Sequence, residues 1–139
     1  MLYLCQRLIE DVCGDPMLHD VAYEKKYNDL YSESCKFPNF NVQVESDLTD
    51  IRKQWVVLTR SVVLCDARTN TKVVTLFCIT KHLMEIYVKV NPDIARLHAY
   101  WLHCILTERF DVNNNYEINV RYIFVFIFMA AINILFYLL

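Results

Sequence analysis

Apolar residues recur along the chain at the spacing of amphipathic α-helices, with polar turns between them. Residues 2–13 form one such segment, and Pro16, with Asp15 as its N-cap, opens a second. Ser46 or Asp47 can cap a third. The second segment carries the apolar positions Leu18, Val21, Tyr23, Tyr27, Leu30 and Tyr31, and the stretch after it, SESCKFPNFNVQV, is expected to be irregular because its proline breaks a helix. We therefore expect an all-α fold.

One helical segment, about Asn70 to Val90, is apolar on nearly every side. Such a helix has to be surrounded by lipid or by other helices. Lys81 and Glu85 argue against a membrane span, so we expect this segment to be the central helix of a bundle. A last helix is predicted from Pro92 to Phe110, with Asn91 as its N-cap and the proline at the first helical position.

The end of the chain changes character twice. Residues 111–121 are polar and asparagine-rich and predict a linker. Residues 122–139, YIFVFIFMAAINILFYLL, carry no charge, and as a helix they would be about 27 Å long, close to the thickness of the hydrocarbon core of a bilayer. We expect a C-terminal transmembrane anchor rather than a buried core helix, with residues 1–110 forming a domain in the cytosol.

Composition narrows the function classes. The length of 139 residues suits one domain, and a single glycine argues against a phosphate-binding glycine loop. Fourteen basic residues against sixteen acidic ones, spread along the chain, lack the basic footprint of nucleic-acid binding. Six cysteines at irregular spacing are expected to be reduced and to fill the core.

No residue pattern predicts catalysis. Cys78 and His82 share a helical face, a spacing that suits a metal site, but they lie in the most apolar helix and are expected to pack in the core. His98 and His103 are expected to be surface or half-buried histidines. We therefore expect neither an enzyme nor a cofactor or metal site.

The polar hinge before the central helix, CDARTNTK at residues 65–72, is the most informative motif. Together with the central helix, its amphipathic neighbours and the anchor, it resembles the Bcl-2 family of apoptosis regulators, and the short, divergent chain resembles viral members of the kind carried by iridoviruses and poxviruses. That family has Asp-Gly-Val-Asn-Trp-Gly-Arg at this point. Asp66 falls on the aspartate and Lys72 on the arginine, while the tryptophan and both glycines are replaced. A one-residue shift places Asn70 on the family's asparagine and lets Arg68 compete with Lys72.

A second stretch, Leu18 to Tyr23, has the leucine and small-residue spacing of the family's third homology region. Tyr23 replaces the aspartate of that region, which favours a survival protein over an executioner.

The resemblance implies a Bcl-2-like helical bundle whose apolar groove binds the amphipathic BH3 helix of a partner. Tyr23, Tyr27 and Tyr31 lie on one helix face, which suits either a wall of such a groove or the core or solvated surface of the bundle. The resemblance implies that Lys72 or Arg68 pairs with the aspartate of the incoming helix. The expected groove residues are Tyr23, Tyr27, Tyr31, Phe40, Thr59, Val62, Val63, Asp66, Arg68, Asn70, Lys72, Val73 and Leu76.

The implied function is inhibition of apoptosis by sequestering BH3 motifs of the Bim, Bak and Bax type on a host intracellular membrane, either the mitochondrial outer membrane or the endoplasmic reticulum. The alternative is a Bcl-2-shaped viral protein that acts through surface contacts on innate immune signalling adaptors. A third hypothesis, based on the anchor alone, is a small helical membrane protein with an assembly role. The sequence leaves open whether the protein is a monomer or a homodimer.

Overall fold

The structure, a computed structural model, describes residues 1–38 and 40–120. These residues form five α-helices and no β-strand, which confirms the predicted all-α class. The helices are α1 (Tyr3–Cys13), α2 (Val21–Cys35), α3 (Leu48–Leu64), α4 (Thr69–Tyr87) and α5 (Pro92–Arg109).

The predicted central helix is central. Twelve of the nineteen residues of α4 are buried, and α4 contacts the other four helices. Thr75 and Thr80 are buried on it, and each hydroxyl donates to the carbonyl oxygen four residues earlier, at 2.8 and 2.7 Å. Lys81 keeps its ammonium 2.9 Å from a carboxylate oxygen of Glu85 and 4.6 Å from the centre of the Tyr31 ring. The buried threonines of the enclosed helix are thus satisfied by its own backbone, and the buried lysine by neighbouring side chains.

The start of α2 was predicted wrongly. The helix begins at Val21, where the carboxylate of Asp20 accepts a hydrogen bond from the next-but-one backbone N–H at 2.9 Å. Asp15 is not a cap because its carboxylate pairs with Arg96 of α5 at 2.7 and 2.9 Å. Leu18 and Val21, two of the apolar positions assigned to this segment, are 93% and 91% exposed. A contact distant in sequence therefore outcompeted the local capping pattern.

The other helix boundaries follow local chemistry. Gly14 ends α1 in the left-handed conformation (φ 81°), which glycine adopts without steric cost. Asp47, not Ser46, caps α3 by accepting a hydrogen bond from Thr49 N–H at 2.7 Å. Asn91 caps α5 as predicted, with proline in its first turn.

The polar segment after α5 lies against the bundle over its described part. Val112 is buried, and its N–H donates to the carbonyl oxygen of Leu106 at 3.0 Å. Further along, Lys26 of α2 donates to the carbonyl oxygen of Tyr116 at 2.9 Å. The side-chain amide of Asn70 on α4 donates to the carbonyl oxygen of Asn119 at 2.7 Å, and its side-chain oxygen accepts from the N–H of Asn119 at 3.1 Å. Residues 111–120, predicted as a linker, thus connect the ends of several helices.

The predicted anchor, residues 122–139, lies outside the described residues. Among the helices that the structure does describe, none has the length and apolar character needed to cross a bilayer.

An ion cluster fixes α1 against the start of α2. The side chain of Arg7 is 8% exposed and lies 2.7 Å from Glu10, 3.0 Å from Asp11 and 2.7 Å from Glu24. Its guanidinium carbon lies 4.4 Å from the centre of the Tyr27 ring. The hydrogen bond from Arg7 lowers the pKa of Glu24, so the carboxylate stays ionised in the folded protein. A cation buried this deeply depends on all of its partners.

Replacing Arg7 with methionine should leave these carboxylates without their cation. We expect the free energy of unfolding to fall by about 2–3 kcal/mol, measured by chemical denaturation followed by circular dichroism. The matched control is Lys25→Met, because Lys25 makes an ion pair with Asp29 on the solvated face of α2. That control should leave stability unchanged. Equal effects of the two substitutions would contradict the structural role of the Arg7 cluster.

Candidate functional site

A groove runs between α3 and α5. Its volume is about 560 Å³. The α3 residues that line it recur at intervals of three and four, and so do those of α5, so each helix contributes one continuous stripe. The lining residues are Arg52, Trp55, Val56, Thr59, Arg60, Val63, Leu64, Trp101, Cys104, Ile105, Glu108 and Arg109.

Two tryptophans meet beneath one end of the groove. Trp55 is buried, Trp101 is half-buried, and their ring centroids are 6.1 Å apart. The guanidinium carbon of Arg52 lies 4.9 Å from the centre of the Trp101 ring, a cation–π contact. Rigid aromatic rings with an apolar stripe beside them are the kind of surface that receives another helix.

His98 lies against these tryptophans with no exposure to solvent, so the prediction of a surface or half-buried residue was wrong for this histidine. Its ring stacks on Tyr87 at 5.1 Å and contacts Trp101 at 4.9 Å and Trp55 at 6.0 Å between centroids. Nδ1 lies 2.8 Å from the carbonyl oxygen of Ile94, which makes Nδ1 the protonated nitrogen. Nε2 is buried without a hydrogen-bond partner among the described residues.

Burial lowers the pKa of His98 to about 4, and the nearby Arg52 guanidinium acts in the same direction. A histidine whose pKa is lowered by folding takes up its proton in the unfolded state first. Stability is therefore full above the ordinary pKa of 6.5 and declines as the pH falls towards 4.

We expect the His98 contribution to amount to at most about 3 kcal/mol lost on acidification. His98→Phe keeps an aromatic ring in the stack and removes the titrating group, so its free energy of unfolding should fall less steeply than that of the wild type between pH 6.5 and pH 4. The control is His82→Phe, at a half-buried histidine bonded to the carbonyl oxygen of Phe40. Identical pH profiles for wild type and His98→Phe would contradict this assignment.

The residues predicted to line a groove do not lie on one surface. Thr59 and Val63 line the α3–α5 groove. Six of the thirteen predicted residues are buried in the interior, five are half-buried, and two are exposed. The buried ones are Tyr27, Phe40, Thr59, Val62, Val73 and Leu76; the half-buried ones are Tyr23, Tyr31, Val63, Asn70 and Lys72; the exposed ones are Asp66 and Arg68.

The three tyrosines of α2 have separate structural roles. Tyr27 is fully buried, and its hydroxyl donates to a carboxylate oxygen of Asp11 at 2.6 Å. The hydroxyl of Tyr23 lies 3.4 Å from the side-chain oxygen of Asn115, in the segment after α5. The ring of Tyr31 faces the ammonium of Lys81. In this structure the tyrosines therefore pack against three different parts of the chain.

The hinge residues hold helix ends together. The ammonium of Lys72 donates to the carbonyl oxygen of Val63 at 2.7 Å, near the end of α3. Asn70 is paired with Asn119. Arg68 is the N-cap position of α4, and its exposed side chain makes no capping hydrogen bond. Of the two predicted charged contacts, Lys72 is thus engaged inside the bundle and Arg68 points into solvent.

The predicted residues missed most of the observed groove. Arg52, Arg60, Trp101, Ile105 and Arg109 were not among them. The spacing of the α3 stripe, at positions 52, 55, 56, 59, 60, 63 and 64, is visible in the sequence. It borders the core-facing stripe of the same helix, and only the position of α5 shows that it faces a second helix across a gap.

The helix α4 carries one cysteine, Cys78, and one histidine, His82. Cys78 is buried, as predicted, and burial raises the pKa of its thiol to about 12. All six cysteines are free thiols, although Cys35 is exposed rather than part of the core. Within residues 1–38 and 40–120, no group of three or more histidine, cysteine, aspartate and glutamate side chains could hold a metal ion.

Comparisons of the chain with protein-family models, with curated proteins and with solved structures find no match.

Proposed function

We propose that the protein inhibits apoptosis by binding BH3 helices of pro-apoptotic Bcl-2 proteins, of the Bim, Bak and Bax type, in a hydrophobic groove. The observation that carries the proposal is the α3–α5 groove, whose two stripes come from helices that both pack on the enclosed helix α4. The Bcl-2-like fold and the viral origin are part of this proposal, and they are based on the resemblance of the hinge and the central helix to that family. Residues 122–139 would anchor the domain in the mitochondrial outer membrane or the endoplasmic reticulum.

The groove has the dimensions of a helix-binding site. The α3 stripe runs from Arg52 to Leu64, a distance of about 18 Å along the axis of a helix. An amphipathic helix that binds through residues i, i+3 or i+4 and i+7 needs about two of its own turns in contact. Val63 and Ile105 offer apolar contacts on the two sides, and both are half-buried and reachable from solvent.

The groove revises the proposed place of contact. The sequence pointed to the face shared by α2, α3 and α4, where Tyr27, Val73 and Leu76 are now interior residues with no exposure. A helix could bind there only if these side chains left the core, at several kcal/mol each. The α3–α5 groove can be occupied without that cost.

The test is calorimetric titration of the full-length protein, in detergent, with Bim-type and Bak-type BH3 peptides. We expect saturable binding with a Kd between nanomolar and micromolar. Replacing Val63 and Ile105 together with glutamine keeps the charge of the groove and removes two apolar contacts, so the Kd should rise about tenfold or more. Val90→Gln, at an exposed apolar residue outside the groove, is the matched control.

A further variant separates the two candidate grooves. Lys72→Met removes the hinge ammonium, and circular dichroism would establish that the variant is folded. If Lys72→Met weakens the peptides and the double glutamine variant does not, the ligand lies at the hinge and the α3–α5 site is wrong. If none of a full panel of BH3 peptides binds the folded protein, the proposed function is wrong.

Exposed apolar side chains near the groove favour one second candidate. Val56 and Leu64 are on its α3 side, Tyr100 is on α5, and the exposed fractions are 43%, 70% and 51%. Such residues suit the alternative of surface contacts with innate immune signalling adaptors. Two variants distinguish the candidates: the double glutamine variant at Val63 and Ile105, and Tyr100→Gln. If Tyr100→Gln changes adaptor signalling and neither variant changes the inhibition of apoptosis, the alternative is supported.

A further inference from the structure

The charges of the α3–α5 groove are unbalanced. Arg52, Arg60 and Arg109 line it together with a single carboxylate, Glu108. None of these three arginines forms an ion pair within residues 1–38 and 40–120. The protein as a whole is slightly acidic, with a formal charge of −2. The groove is therefore a cationic region on an acidic protein.

Two arginines outside the groove, Arg7 and Arg96, are paired, whereas the exposed Arg68 forms no ion pair among the described residues. Arg7 contacts three carboxylates and Arg96 contacts two. Where an arginine holds helices together, it thus has carboxylate partners, whereas the one carboxylate that lines the groove, Glu108, forms no ion pair with the three groove arginines among the described residues. Guanidinium groups left free beside an apolar surface are available to a ligand, and they bind carboxylates with two parallel hydrogen bonds.

The positions of the arginines define the ligand. Arg52 and Arg60 are eight residues apart on the same stripe of α3, about 12 Å along the helix axis. Arg109 lies across the groove on α5, and each side also contributes an apolar side chain, Val63 from α3 and Ile105 from α5. A helix lying in this groove would have its apolar face against these apolar residues and a guanidinium group on each flank.

We propose that the groove selects amphipathic helices whose apolar face is bordered on both flanks by glutamate or aspartate. The proposal rests on the proposed function for the idea that the groove receives a helix, and it adds the class of helix. Arg60 and Arg109 are the selecting residues. Arg52, held on the Trp101 ring, closes one end and offers a third contact. Glu108 repels a carboxylate at its own position, which limits the register of the bound helix.

The test uses two designed helical peptides with identical apolar faces, one with glutamates and the other with glutamines on the flanks. Binding to the full-length protein is followed by fluorescence anisotropy. We expect the glutamate peptide to bind about tenfold or more tightly, and the difference to shrink with added salt. Arg60→Gln combined with Arg109→Gln should remove most of the difference by weakening the glutamate peptide alone.

Arg68→Gln is the matched control, because Arg68 is an exposed arginine outside the groove. It should leave both affinities unchanged. Equal affinity of the two peptides for the wild type, or an effect of Arg68→Gln as large as that of the groove variant, would overturn the proposal. Failure of BH3 peptides alongside selective binding of the glutamate peptide would overturn the proposed function and leave this inference standing. Binding of BH3 peptides without any arginine dependence would do the reverse.

Discussion

The enclosure of α4 is the constraint on which the rest of the bundle depends. A helix that is apolar around nearly its whole circumference is stable in water only if other helices cover it. Here four helices supply that cover. Each of them must turn one apolar stripe inward, and this requirement fixes the rotation of each helix about its own axis. The buried polar residues Thr75, Thr80 and Lys81 are tolerated on α4 because the two hydroxyls bond to carbonyl oxygens one turn earlier and the ammonium pairs with the exposed Glu85.

The groove results from the arrangement of the helices that cover α4. The outer helices α3 and α5 both pack on α4, and a gap of about 560 Å³ separates their facing stripes. Trp55 contributes to the core and also lines the gap, as do the partly buried residues of α5. The core and the candidate site therefore share side chains. The aromatic cluster around His98 lies at this junction, where an imidazole nitrogen is buried without a hydrogen-bond partner in the described part of the chain.

The charged residues of the core-supporting ion cluster and of the groove are arranged differently. Within α1 and α2, acidic residues surround a buried arginine and hold two helices together. On α3 and α5, three arginines line a surface where the described residues supply only Glu108 as a carboxylate. The first arrangement supports the fold, because a buried charge requires partners. In the second arrangement the guanidinium groups form no ion pair with the described residues, and this is the physical basis for proposing that the groove binds an acidic helix.

The sequence by itself determined the helical class, the enclosed helix and most helix boundaries. These features depend on periodicity and on capping residues such as Asp47 and Asn91, whose effects reach only a few positions along the chain. Only the tertiary structure determined the partner of Asp15, which pairs with Arg96 and does not cap a helix. It also decided which side chains are available at the surface. Tyr27 and Leu76 satisfy the pattern of a groove wall, yet they are interior, while Arg60 and Ile105 become neighbours across a gap between helices distant in sequence. Local patterns determine which face of a helix is apolar. Which neighbouring helix covers that face depends on contacts between residues far apart in the sequence, and a local pattern does not encode those contacts.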